Sequence, residues 1–213
     1  MRQFIANLQT RAWRTSGARY NAARRLKQRE TFSTFSLAML SALSVAAAIA
    51  QRVYSPRPGT PLDDYMTVVS IALGVILLAI SLLVWGAADG AKAEALHRNA
   101  EDLTAYHLAV AQVLAEMADG KNMATGEVDA LRVEYETIKA RCPYNHAPSD
   151  DALFRAKMRM AREFADENGA PTITRFDSLI IKVSWELSKI WFFLLVWLAV
   201  GVVVGYAFWV PKV

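Results

Sequence analysis

Arg155, Arg159 and Arg162 recur at four- and three-residue spacing downstream of Ser149. On one helix that spacing makes a basic stripe, and guanidinium forks presented together suit the oxygens of a phosphate. The plainer reading is a solvated face, or one paired to acids such as Glu134 and Glu136. Just upstream, Cys142, His146 and Asp150 follow one another at intervals of four. They offer one thiolate, one imidazole and one carboxylate, an incomplete set for a soft metal. Pro143 and Asn145 make the same stretch read as a loop whose turns they set. His97 and His107, ten residues apart, are related by a rotation of about 280° on a helix of 3.6 residues per turn, about 80° the short way, and lie on different faces. The sequence holds no HExxH pair, no GxSxG elbow and no Walker loop. The expectation is therefore a chain that binds rather than catalyses, with no metal, no cofactor and no enzyme activity.

A second kind of chemistry lies in an uncharged run. Ser33, Thr34, Ser36, Ser41, Ser44 and Ala48 fall within an arc of roughly 160° at 100° per residue, and the opposite side is apolar. In hydrocarbon a hydroxyl needs a neighbouring helix or water. Ser33, Ser36, Ser41 and Ser44 are thus candidates either to line a pore or to pack helices. Small pairs elsewhere, Ser70 with Gly74, Gly86 with Gly90, and Gly201 with Gly205, permit close helix crossings.

The elements that must carry these residues follow from charge and hydropathy. Of 213 residues, 54% are apolar and 21% charged. Three charge-free runs account for the excess: 21 residues after Glu30, 24 after Asp64 and 22 after Lys189. Each matches the roughly 20 residues a helix needs to cross a bilayer, which excludes an ordinary soluble protein. The 30-residue basic lead and the length of the first run exclude a secretory signal. Cys142 alone allows no internal disulfide.

Residues 1–30 hold eight Lys and Arg against one acid, whereas residues 51–64 hold two against two. Since basic flanks are retained in the cytoplasm, the N-terminus is expected inside. The expected organisation is a basic cytoplasmic helix (1–30), a first span (31–51), a short external hairpin turned by Pro56, Pro58 and Pro61 (52–64), a second span (65–88), a helical cytoplasmic body (89–171), an amphipathic interfacial helix (172–189) and a third span (190–210). Trp191, Trp197, Tyr206 and Trp209 suit the interfacial ends of the last run. The other reading of that run is a buried hydrophobic hairpin that does not cross.

Within the body, Leu96, Leu103, Val110 and Met117 recur every seven residues, with Asn99 as a polar exception beside them. Such a face resembles a coiled-coil seam and is the candidate oligomer interface. Asp119-Gly120-Lys121-Asn122 ends that helix, Thr125 starts the next, and Ser149 is a plausible N-cap for a third. The stripe Ile173, Phe176, Ile180, Val183 and Leu187 leads into the last run. The fold class is an all-α membrane protein, with three transmembrane helices and a helical, coiled-coil-like body.

Three patches together resemble a known family: RYNAARRLKQRETFSTFSLAMLSALSVAAAI, HRNAEDL and YETIKARCPYNHAPSD. Over residues 10–152 they look like the SLATT family, two-span membrane effectors associated with nucleotide-signalling conflict systems of bacteria. The resemblance implies an antiviral or other conflict effector that oligomerises into a pore when a nucleotide second messenger or a separate sensor protein triggers it. It brings no catalytic residues, and the third span reads as an addition to the two-span pattern. Tyr135, Pro143, Asn145 and His146 form a candidate coupling loop between body and spans. The expected partners are the lipid bilayer and further copies of the chain, with no nucleic acid. The rival from another class is a structural or regulatory membrane scaffold that binds a partner through its cytoplasmic helices.

Overall fold

The computed structural model describes residues 1–54 and 59–206. Its helices are α1 (Arg2–Tyr54), α2 (Pro61–Ala87), α3 (Asp89–Ala118), α4 (Thr125–Ala140), α5 (Pro148–Lys157) and α6 (Arg175–Tyr206), with a 3-10 turn at Arg162–Phe164. Among the described residues there is no strand, only an isolated bridge between Ala165 and Pro171. Three helical stretches, carried by α1, α2 and α6, are long and apolar enough to cross a membrane. The all-α membrane class read from the sequence holds. Pro56, Pro58, Trp209 and Val210, called on for the external hairpin and the end of the third span, lie outside the described residues.

Two helices run further than the charge pattern suggested. α1 is one helix of 53 residues that carries the basic lead straight into the apolar run. α6 likewise passes unbroken from its amphipathic part into the last apolar run. Local chemistry sets the other ends. Thr60 caps α2 by accepting from the Asp63 N–H at 3.3 Å, and Pro61 occupies the first turn, where its missing N–H costs nothing. α2 stops at Ala88, whose φ of 48° is left-handed. α5 begins at Pro148 with Ala147 as its cap, so Ser149 lies inside the first turn rather than capping it.

The chain forms two units. The polar unit comprises Met1–Lys27 and Gly90–Ser188; the apolar unit comprises Gln28–Asp89 and the described part of Lys189–Val213. The core of the polar unit joins Ile5, Leu8 and Ala12 of α1, Leu103, Tyr106 and Val110 of α3, and Val128, Tyr135 and Ile138 of α4. A second cluster sets Ala22 and Ala23 against Leu96, with Cys142 packed beside them. The seven-residue stripe of α3 is therefore covered from within the chain: Leu96, Leu103 and Val110 are at most 1% exposed, and Met117 packs on the same core. This corrects its expected role as an oligomer interface and leaves the coiled-coil character unsupported. An apolar stripe needs a partner helix, and α1 and α4 supply it. Trp13, Phe154 and Phe164 add an aromatic cluster, with Trp13 edge-on to Phe154 at 5.0 Å and stacked on Phe164 at 5.7 Å. The Phe154 ring lies against Gly17, where any side chain would collide with it.

In the apolar unit Leu40, Val69, Leu73, Ile80 and Val200 bring α1, α2 and α6 together. Trp197 Nε1 donates to Ser36 Oγ at 3.2 Å, and Lys189 Nζ donates to Gln28 Oε1 at 2.6 Å. The outer sides stay uncovered, with Val68, Ile71, Leu78 and Leu83 all more than 60% exposed. That much exposed hydrocarbon fits lipid rather than water as the surrounding solvent.

Candidate functional site

Helical spacing puts Arg11, Arg14 and Thr15 on one side of α1. There they meet Tyr135 of α4, Asn145 and His146 of the connecting loop, and Asp151 in the first turn of α5, around a cavity of about 450 Å³. Asp151 holds Arg14 bidentately, Oδ1 accepting from Nε at 2.6 Å and Oδ2 from Nη2 at 2.5 Å. Those bonds raise the Arg14 pKa further. Burial alone would push the Asp151 carboxyl up, but the Arg14 hydrogen bonds and charge more than offset it, and its pKa lies below the ordinary value. The Tyr135 and Thr15 hydroxyls share a hydrogen bond of 3.2 Å. Lys139 Nζ sits 5.4 Å from the centre of the Tyr135 ring.

His146 is half-buried, and its Nδ1 is shut off from solvent without a hydrogen-bond partner. Burial lowers its pKa; Asp151 and Asp150 oppose that, while Arg19 and Arg14 reinforce it. The ring is therefore neutral at pH 7. Arg11 stands exposed at the rim. A smaller hollow of about 230 Å³ shares Arg11 and Tyr135 and extends toward Phe4, Leu8 and Arg132.

Buried ionic contacts support the cavity. Asp150 is fully buried: Oδ1 accepts from Arg25 Nε at 3.0 Å and Trp185 Nε1 at 2.8 Å, while Oδ2 accepts from Arg25 Nη2 and the Ala147 N–H, each at 2.9 Å. One carboxylate thus ties α1, α5 and α6 together. Arg19, 3% exposed, donates to Asn99 Oδ1 and to the Lys139 carbonyl, and burial pushes its guanidinium below the ordinary value. Asn99 Nδ2 donates to the Ile138 carbonyl at 2.6 Å. The polar exception on α3 therefore links a buried cation to the carbonyl end of α4, where positive charge is favoured.

These placements revise several readings of the sequence. Tyr135, Asn145 and His146 of the expected coupling loop do line one cavity, beside Pro148, while exposed Pro143 does not. Arg155, Arg159 and Arg162 do not form a helical stripe. α5 ends at Lys157, so Arg159 falls in a turn and Arg162 in the 3-10 segment. Of Cys142, His146 and Asp150, read from the sequence as an incomplete ligand set, Asp150 accepts four bonds and Cys142 packs against the Ala22–Leu96 cluster. The hydroxyl arc divides: Ser33 and Ser36 are 2% and 3% exposed, Ser44 is half-buried and Ser41 is exposed. Sequence reasoning missed Arg11, Arg14 and Arg19 as site residues. Their return every three to five positions on one helix was the available signal, and it was absorbed into the count of basic flanking charge.

With Arg14 held by Asp151 and the imidazole neutral, exposed Arg11 and the Asn145 amide are the groups of this hollow that can meet an anion, beside the Tyr135 ring and Pro148. No curated protein and no solved structure matches the chain. The family match runs over residues 1–207 and so takes in the third apolar helix, which is part of the matched region rather than an addition to it. By that match the chain belongs to the SMODS and SLOG-associating 2TM effector domain family 5, membrane effectors of conflict systems.

Proposed function

We propose that the chain is the membrane-permeabilising component of a bacterial antiviral defence system. It lies in the inner membrane with its N-terminus and polar unit in the cytoplasm, assembles with further copies, and opens a pore when triggered. The trigger is a nucleotide second messenger whose phosphates sit on Arg11 beside the Arg14–Asp151 pair, or a separate sensor protein docking at the same cavity. No catalytic step belongs to this activity.

The observation that carries the reading is the continuity of α1. One helix of 53 residues holds Arg11, Arg14 and Thr15 of the cavity and, further on, Ser33 to Ser44 of the hydroxyl arc. No break in the helix separates the two sets of residues, so a ligand held by the first acts on the same helix that carries the second. With the α3 stripe covered, self-association falls to α6. There Phe176, Leu179, Ile180, Val183 and Leu187 are between 49% and 69% exposed at helical spacing.

Dye release from liposomes carrying the purified chain tests the reading. Leakage is expected to rise on adding a cyclic nucleotide or the sensor protein, and to lose that rise in Arg11→Glu. Vesicles that stay sealed under every trigger favour the other class, a scaffold whose exposed α6 stripe binds a partner while the spans anchor it.

A further inference from the structure

A second cavity lies in the polar unit on the other side of α1, and nothing in the proposed trigger uses it. Its volume is about 400 Å³, and it is a groove between two helices. α1 contributes Tyr20, Ala23, Arg24 and Lys27, and α3 contributes Gly90, Ala93, Glu94 and His97, each set at the spacing of one helix face. The groove exists because its floor is small: Ala23 and Ala93 are buried at 4% exposure and Gly90 has no side chain. Its rim is basic. Its cations, Arg24 and Lys27, stand exposed on one wall, and on the other His97 lies edge-on to Tyr20 at 5.3 Å with its Nε2 3.5 Å from Glu101. The carboxylate on the wall, Glu94, is engaged by Arg98 at 2.7 Å.

The position of the groove along the chain is as informative as its charge. Lys27 directly precedes Gln28, the first residue of the apolar unit, and Gly90 directly follows Asp89, its last residue on that stretch. Trp85, 83% exposed and five residues before Gly90 in the sequence, is the kind of side chain that settles at the headgroup level of a bilayer. Arg29 and Asp89, paired at 3.4 Å, mark the same level on α1 and α3.

We infer that this groove holds the headgroup phosphate of an anionic phospholipid, with Arg24 and Lys27 on the phosphate and the small-residue floor admitting the headgroup. Basic hollows at the membrane ends of helices are suited to such headgroups, and a free phosphate would satisfy the same side chains. The groove favours the lipid source because it lies at the point where both of its helices enter the apolar unit. The inference stands whether or not the chain opens a pore.

Native mass spectrometry of the full chain, released from detergent with added phosphatidylglycerol or phosphatidylcholine, tests it. Phosphatidylglycerol is expected to remain bound in preference to phosphatidylcholine. The double variant Arg24→Gln, Lys27→Gln should weaken that retention by about thirtyfold, while Arg2→Gln, Lys121→Gln, which removes equal charge from exposed positions of the polar unit, should change it by no more than about twofold. Equal loss in the two double variants would show diffuse attraction and overturn the site. His97→Glu leaves α1 untouched and brings negative charge to the opposite wall; it should also release the lipid, and unchanged retention would count against the groove. Millimolar inorganic phosphate should leave the lipid adduct in place, and displacement by it would reassign the groove to free phosphate.

Discussion

Asp150 is the side chain with most to lose. Its pair with Arg25 is buried, with side-chain exposures of 0% and 16%. Asp150→Ala would strand that guanidinium, and the polar unit is expected to lose about 3–5 kcal/mol, measured by urea unfolding in detergent. Asp151→Ala breaks a pair whose arginine is 47% exposed and should cost no more than about 1 kcal/mol. His146 supplies a pH dependence of definite sign. Its folded pKa lies below the ordinary 6.5, so the unfolded chain binds the proton first. Stability from this residue is present above 6.5 and lost as pH falls through 6.5 toward the folded value. His146→Gln should flatten the stability profile in that window; a profile equally steep in the variant would remove His146 as its source. Asp151, whose folded pKa lies below the ordinary 3.8, contributes its own loss only at still lower pH. These roles were partly legible. Asp150 and His146 stood out by type and spacing, but Arg25, which pairs with Asp150, and Arg14 and Arg19, whose charges act on His146, lie more than a hundred positions away. Spacing within one segment carries no information about so distant a partner.

At the scale of elements, α3 and α6 teach the same lesson in opposite directions. Both stripes were readable from periodicity, yet periodicity does not say whether the helix that covers a stripe comes from the same chain. α1 and α4 cover the first, while the second stays open. The arginine stripe failed for another reason. Met158, Arg159 and Met160 form a turn with no glycine or proline to announce it. The hydroxyl arc of α1 allows a direct test, because the chain's own packing divides it. Ser36→Leu forces bulk into the contact with Trp197 and should destabilise by about 1–3 kcal/mol. Ser41→Leu touches only the exposed side, so stability should change by no more than about 0.5 kcal/mol while liposome leakage falls. Leakage at the parental rate in a folded Ser41→Leu protein would move the conduction path off α1.

For the whole molecule, orientation is the first quantity to measure. Eight basic residues precede the first apolar run against two in the stretch after it. In a Cys142→Ser background, a cysteine replacing exposed Asp64 should react with an impermeant thiol reagent on intact cells, and one replacing exposed Asn122 should react only after permeabilisation. Labelling of the second site in sealed cells would invert the topology. Between the two units the chain crosses at 27/28, 89/90 and 188/189. All three crossings lie inside helices, α1, α3 and α6, and α3 is separated from α2 by Ala88 alone, in a left-handed conformation that an L-residue adopts at a cost of about 1–2 kcal/mol. The chain therefore passes from α2 into α3 through a joint made of a single strained residue. Ala88 sets the stiffness of that joint, and glycine there would loosen it without removing any side-chain contact larger than a methyl group.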